Sequence, residues 1–237
     1  MKKNVFIYHG VQRFLAVLVF FLPCIVSSAP ETTSDDDAAT ILATARMNPL
    51  GQDITLSAQL RKDSTKIPFN IVVRDGVVRY EFAEQTLILQ PKEKSAELSL
   101  QKNGGKATAV RPAALGEKVQ GSDLTCEDIA LRFLYWPDAK ITGSETVNTR
   151  KCRIVEIQAR GTSTQYGVAR VWIDQATGAL MRMEGYNHQG KLIRKFSVVS
   201  AQPIEGQWML KQMRVETIDP ATRKTTSRTY LEVLGKK

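Results

Sequence analysis

Ile54-Thr55-Leu56-Ser57-Ala58-Gln59-Leu60-Arg61 alternates apolar and polar residues without a break. A β-strand sends successive side chains to opposite faces, so this stretch offers one face to a core and the other to solvent. The same period returns at Ile67, Phe69, Ile71 and Val73, stops at Asp75-Gly76, and resumes with Val78, Tyr80 and Phe82. Asp-Gly suits a two-residue hairpin because both turn positions need positive φ, which makes the flanking runs antiparallel neighbours. Leu87 and Leu89, then Ala96, Leu98 and Leu100 before Asn103-Gly104-Gly105, extend the pattern to a five-stranded meander.

Upstream, Ser34-Asp35-Asp36-Asp37 and the Ala-rich stretch to Met47 predict a helix, with a capping serine and acids at the positive end of its dipole. Ala38, Ile41, Leu42 and Ala45 share one side, and Asn48-Pro49 with Gly51 ends it. Downstream, Gly104–Gln120 is weakly periodic and reads as a connection. Thr125 and Asp128 then make a capping-box pattern opening a helix that Trp136-Pro137 stops. Strands resume at about 139–147, 152–159, 167–174, 179–186, 191–203, 207–218 and 225–234. Eleven or twelve strands with two helices require a mainly β fold, a large curved antiparallel sheet or barrel. The strand at 207–218 carries Trp208, Leu210, Gln212 and Arg214 on one side and Met209, Met213 and Val215 on the other. A sheet with one buried face alternates more cleanly than this. Either a helix or cavity covers part of the second face, or the hairpin is long and incompletely buried.

The 237 residues carry a formal charge of +9, with 43% hydrophobic, 24% charged and 7% aromatic residues. That composition excludes polytopic membrane, collagenous and wholly disordered classes. Lys2, Lys3 and Arg13 precede an apolar run, Phe14–Val26, and the small residues Ser27-Ser28-Ala29, which is the pattern of a cleaved secretory signal peptide over residues 1–28. An uncleaved anchor is disfavoured because the run is short for a bilayer, and a lipoprotein signal at Cys24 because Phe21-Leu22-Pro23 lacks small residues. Residues 29–34 are then expected to be a flexible segment, and 35–237 a single domain. Cleavage removes three positive charges and no negative one, taking +9 to +6. The remaining cations are interspersed with acids, which argues against nucleic acid while leaving attraction to anionic headgroups. Export leaves Cys126 and Cys152 in an oxidising compartment, as a disulfide or as two buried thiols.

Catalytic chemistry is poorly represented. His9 leaves with the signal, His188 sits in a hairpin turn, and no nucleophile elbow, H-E-x-x-H pair, phosphate loop or paired C-x-x-C occurs. No catalytic residue, metal site or cofactor is therefore expected, and Glu127-Asp128 reads as the charged start of a helix. Met47, Met181, Met183, Met209 and Met213 supply adaptable apolar surface, as core or against acyl chains. Arg74 and Arg79 lie on strands, either solvated or at a cavity mouth where a guanidinium meets a headgroup.

Gly121-Ser122-Asp123-Leu124-Thr125-Cys126-Glu127-Asp128-Ile129, Cys152-Arg153-Ile154-Val155-Glu156-Ile157, Val171-Trp172-Ile173-Asp174 with Thr177-Gly178-Ala179-Leu180, and Tyr186-Asn187-His188-Gln189-Gly190-Lys191-Leu192 carry a resemblance across residues 35–234. Together with the element order they resemble the LolA/LolB-like superfamily, in its outer membrane lipoprotein-sorting branch. The sequence departs from that pattern at Cys126, where an aromatic residue usually stands, and only loosely echoes the arginine- and aromatic-rich strand pair of LolA itself in Val73–Tyr80. The resemblance implies an incomplete β-barrel of about eleven strands, two or three lid helices, and a hydrophobic cavity for acyl chains.

The expected function is thus a periplasmic, non-enzymatic carrier of lipid or acylated lipoprotein. It would be a monomer in peripheral contact with membranes, with an inner-membrane transporter as a partner implied by the resemblance. Candidate cavity and lid residues are Ile129, Phe133, Leu134, Trp136, Met181, Met183, Trp208 and Met213, with Arg74 and Arg79 at the mouth. A lipid-sensing regulator of envelope stress is the rival reading, and a secreted hydrolase, dependent on His188, a weaker one.

Overall fold

Alternation in the sequence is matched by alternation in burial. In the computed structural model, which describes residues 35–47 and 53–237, Ile54, Leu56, Ala58 and Leu60 are all buried while Thr55, Ser57, Gln59 and Arg61 are not. The expected signal peptide, the segment 29–34, the capping Ser34, and the helix stop at Asn48-Pro49 and Gly51 lie outside the described residues.

Helix α1 spans Asp35–Met47. Six strands follow: β1 Ile54–Lys62, β2 Thr65–Arg74, β3 Val77–Glu81, β4 Gln85–Pro91, β5 Ala96–Lys102 and the short β6 Thr108–Ala109. After a strap over residues 110–137, seven more complete the chain: β7 Asp138–Val147, β8 Arg150–Gln158, β9 Val168–Asp174, β10 Leu180–Tyr186, β11 Leu192–Ile204, β12 Gln207–Ile218 and β13 Thr225–Lys236. All thirteen belong to one antiparallel sheet, ordered β6-β5-β4-β3-β2-β1-β13-β12-β11-β10-β9-β8-β7. Strands β6 and β7 are its two edges, so the sheet is open and the fold is a half-open barrel with thirteen strands rather than about eleven. Left-handed pairs at Asp75-Gly76 (φ 50° and 72°) and Asn148-Thr149 (φ 46° and 68°) give turns whose twist matches that of the strands they join.

The inner face is apolar except for a polar patch at Arg194, Thr217 and Thr229 of β11, β12 and β13. Leu56, Leu60, Phe69, Leu87, Val155, Ile157, Val171, Met183, Phe196 and Val215 are buried in one cluster with Ala38, Leu42 and Ala45 of α1 and Leu124, Ile129, Phe133 and Leu134 of the strap. Phe69 stacks on Phe82 with ring centroids 4.8 Å apart. Burying such side chains contributes roughly 1.5–3 kcal/mol each.

The second helix is shorter than its sequence predicts. Helix α2 covers only Cys126–Ile129, and Leu131 (φ 46°) then breaks it before a 3-10 turn at Arg132–Tyr135. The predicted capping box does form, with Thr125 Oγ1 accepting from the Asp128 amide at 3.2 Å and Asp128 Oδ2 accepting from the Thr125 amide at 2.9 Å. The break has a packing cause: after it, Phe133 and Leu134 are 0% and 1% exposed, both directed into the sheet.

Alternation also settles the cysteines. On β8, Val155 and Ile157 join the inner cluster, whereas Cys152 and Ile154 pack with Val147, Trp172 and Met181 in a separate small cluster on the outer face. Cys126 packs against the inner cluster. The two thiols are free and lie on opposite sides of the sheet, so the bridge between them is not formed.

Candidate functional site

Two features close the inner face. The first is the strap, anchored by a buried polar network. Asp123, fully buried, accepts hydrogen bonds from Thr217 Oγ1 at 2.8 Å, Ser227 Oγ at 2.9 Å and Thr229 Oγ1 at 2.9 Å, and Lys62 Nζ lies 3.7 Å away. Burial alone would raise its pKa, but these hydroxyls and the lysine outweigh it and hold the carboxyl below its ordinary value. The strap thereby docks on β12 and β13.

Asp128 ties the strap to the other strands. Its carboxylate accepts from Tyr166 Oη at 2.5 Å and from the Thr125 amide, with Arg194 Nε 3.7 Å away. Burial pushes its pKa up against the pull of Arg194 and Tyr166. Arg194 itself donates to Thr217 Oγ1 at 2.7 Å, which links the Asp128 and Asp123 halves of the network. Neighbouring Glu127 is 0% exposed; Oε2 accepts from the Gln165 amide at 3.1 Å, Oε1 has no hydrogen-bond partner, and burial raises its pKa. Tyr166 reaches Asp128 only because residue 185 is glycine, since a Cβ there would lie 2.3 Å from the ring. Among the described residues no group of three potential ligands could hold a metal.

The second feature is helix α1, which lies along the open seam beside β7. A groove of about 690 Å³ opens there, walled by Leu42, Tyr135, Trp136 and Ala139, with Arg46, Lys94 and Lys140 among acidic Glu93, Asp138 and Glu156. Arg46 donates to the Leu134 carbonyl at 3.1 Å and sits 5.0 Å from the Tyr135 ring centroid, pinning the C-terminal end of α1 to the strap. On the opposite side, Thr44 meets the turn at Gly178, where φ is +71° and a Cβ would stand 2.5 Å from Thr44 Cγ2.

The residues singled out from the sequence are dispersed. Trp136 lines the seam groove; Ile129, Phe133 and Leu134 are the strap's buried side chains, Met183 of β10 is buried in the same cluster, and Met213 is half-buried against it. Met181 belongs to the outer cluster with Cys152 and Trp172, and Trp208 is 76% exposed, so neither faces the interior. Arg74 is exposed and donates to Thr55 Oγ1 at 3.3 Å; it and Arg79 alternate with inward Val73 and Val78, which places both on the outer face. His188 is exposed at its turn, with Nε2 2.9 Å from the Thr164 carbonyl. Leu42, Arg46 and Tyr135 were missed as groove residues. Arg46, the basic residue in the last turn of α1, was the available signal.

An open antiparallel sheet with its helices on the inner face is the architecture of LolA-like proteins. A family model described as "Uncharacterized protein" matches residues 104–234, more than half of the chain, and the chain belongs to that family. Among curated proteins none matches. A DUF1329 family protein from Desulfovibrio piger superposes with a TM-score of 0.65 at 20% identity, covering 85% of this chain and 92% of that one. A putative outer membrane lipoprotein-sorting protein domain from Vibrio parahaemolyticus gives 0.58 at 14% identity, with coverages of 85% and 92%. A LolA superfamily protein from Nitrosomonas europaea gives 0.53 at 15%, with 83% and 90%. At these identities the likeness is one of fold.

Proposed function

We propose that this protein is a periplasmic, non-enzymatic carrier that binds the acyl chains of a lipid or lipoprotein. The observation that carries the reading is the inner sheet face: outside the polar network that anchors the strap it is apolar, and α1 covers it beside an amphipathic groove at the open seam. About 690 Å³ falls within the range of small-ligand sites. Acyl burial is worth about 0.8 kcal/mol per CH₂, enough to replace the apolar contacts of a short helix. Trp136, Tyr135 and Leu42 would line the entrance, and Lys94, joined by Arg46 and Lys140 once they leave the Leu134 carbonyl and Glu156, would meet a carbonyl or phosphate. The sorting role named for the Vibrio parahaemolyticus domain supports the same direction. No bond is made or broken; loading and release follow differential affinity among donor, carrier and acceptor.

Native mass spectrometry with lipid extraction tests this on protein exported to, and purified from, the periplasm of a Gram-negative host. Bound phospholipid or acylated protein, displaced by a fluorescent acyl probe, is the expected result. A clean unliganded mass with no probe binding overturns it.

A further inference from the structure

Among the described residues three large hydrophobic side chains are exposed: Val199 at 44%, Trp208 at 76% and Leu234 at 59%. They occupy one region. Val199 and Trp208 belong to the β11–β12 hairpin and Leu234 to β13, the next strand. The end of the hairpin is held against the end of β13 by the Glu205–Lys236 ion pair and by Gln202 Nε2 donating to the Val233 carbonyl at 2.9 Å.

Strand irregularities aim these side chains outward. Val199 is the extra residue between the Val198↔Met213 and Ser200↔Gln212 pairs, and Leu234 the extra residue between Ala58↔Val233 and Ser57↔Gly235. Such bulges re-aim a side chain without ending the ladder. Trp208 pairs directly with exposed Pro203, and exposed Ala201 lies two residues from it on the same face. Elsewhere the outer face carries ion pairs, among them Arg61–Glu232 and Arg228–Glu216.

We infer that this hairpin and the end of β13 form a docking surface for anionic phospholipid bilayers. Charge selects that occupant. Within 199–211 and 233–237 Glu205 is the sole acidic side chain and is paired with Lys236, so exposed Lys211 and Lys237 have no ion pair among the described residues. A tryptophan sits well at headgroup depth, and lysines beside it gain from an anionic leaflet. A second copy would bring like charges together across three apolar side chains, where one side of a stable interface uses about 20–30 residues. The surface is separate from the seam groove, whose walls come from α1, the strap, β7, β8 and the β4–β5 turn. It deepens the carrier reading and rests on it for its biological use: the protein would touch the membrane with one region and hold the chain in another.

Co-sedimentation of the exported protein with vesicles of phosphatidylglycerol and phosphatidylethanolamine, against phosphatidylcholine alone, tests it. Expected is binding to the anionic vesicles, weakened roughly tenfold or more by Trp208→Ala and roughly fivefold by each of Lys211→Ala and Lys237→Ala, with unchanged melting. Trp208→Ala sedimenting like the parent overturns the proposal. So does a dimer, seen by sedimentation equilibrium, that this substitution dissolves. Vesicle binding lost with acyl-probe uptake kept is the expected signature of Trp208→Ala; in the parent, no vesicle binding with normal uptake would sink the surface alone, and no uptake with normal vesicle binding the carrier reading alone.

Discussion

Helix α1 reaches the sheet through Ala38, Leu42 and Ala45, while the strap adds to its own apolar side chains, Leu124, Ile129, Phe133 and Leu134, the buried charges Asp123 and Asp128 with their partners. Apolar contact has no direction, so an acyl chain of similar apolarity can take its place. A buried charge is different: removing one partner strands the other in a medium of low dielectric, at a cost of several kcal/mol. Both segments lie over the same inner face, yet the contrast makes α1 the exchangeable cover and the strap a fixed part of the barrel. Arg46 is the one charged tether of α1 described, and it sits at the mouth of the groove.

The sharpest way to break this comparison is Asp128→Ala. It leaves Arg194 and the Tyr166 hydroxyl buried without their carboxylate, so urea denaturation should show a loss of about 3–5 kcal/mol. A loss below about 1 kcal/mol would mean that the network contributes little and that the strap is held by its apolar contacts alone.

Gly178→Ala bears on the other partner. The added methyl collides with Thr44 at a position of positive φ, so α1 must shift, with a stability cost of about 1–2 kcal/mol. If α1 is the exchangeable cover, stopped-flow fluorescence will record faster acyl-probe uptake than in the parent; equal rates would show that entry does not pass beneath it.

Smallest is the effect of Glu127→Gln, which sharpens the account of the strap. Burial raises the Glu127 pKa, so the folded state holds its proton more tightly than the unfolded chain. Its stabilising contribution is therefore complete below the ordinary carboxylate pKa and is lost as pH rises through the folded value. The variant should melt higher than the parent at pH 7, and the gap should close towards pH 4. A gap independent of pH would mean that Glu127 carries no buried charge.

Much of this was legible in short-range pattern. Period-two alternation and Asp75-Gly76 located the first hairpins, and Thr125 with Asp128 located the cap of α2. The same alternation already separated Cys152 from Val155 and Ile157, so the outward position of that thiol was available from β8 alone. The anchoring of the strap was not. Asp128 meets Tyr166 across 38 residues and Asp123 meets Thr229 across 106, distances over which local propensity carries no information. Leu131 gave no warning of its left-handed backbone, because the break serves Phe133 and Leu134 rather than any turn residue of its own.

The pairing of β1 with β13 has a consequence for how the chain folds. Every other ladder joins strands adjacent in sequence, so β1–β6 and β7–β13 are two meanders whose hairpins close over short loops. Only the β1–β13 ladder unites them, with Gln59 bonding Glu232 across 173 residues. A chain still emerging from the ribosome or a translocon lacks this final strand and holds its two meanders unjoined. Completion of the barrel is therefore timed by the arrival of residues 225–236, and a truncation there should leave two soft half-sheets rather than a slightly weakened whole.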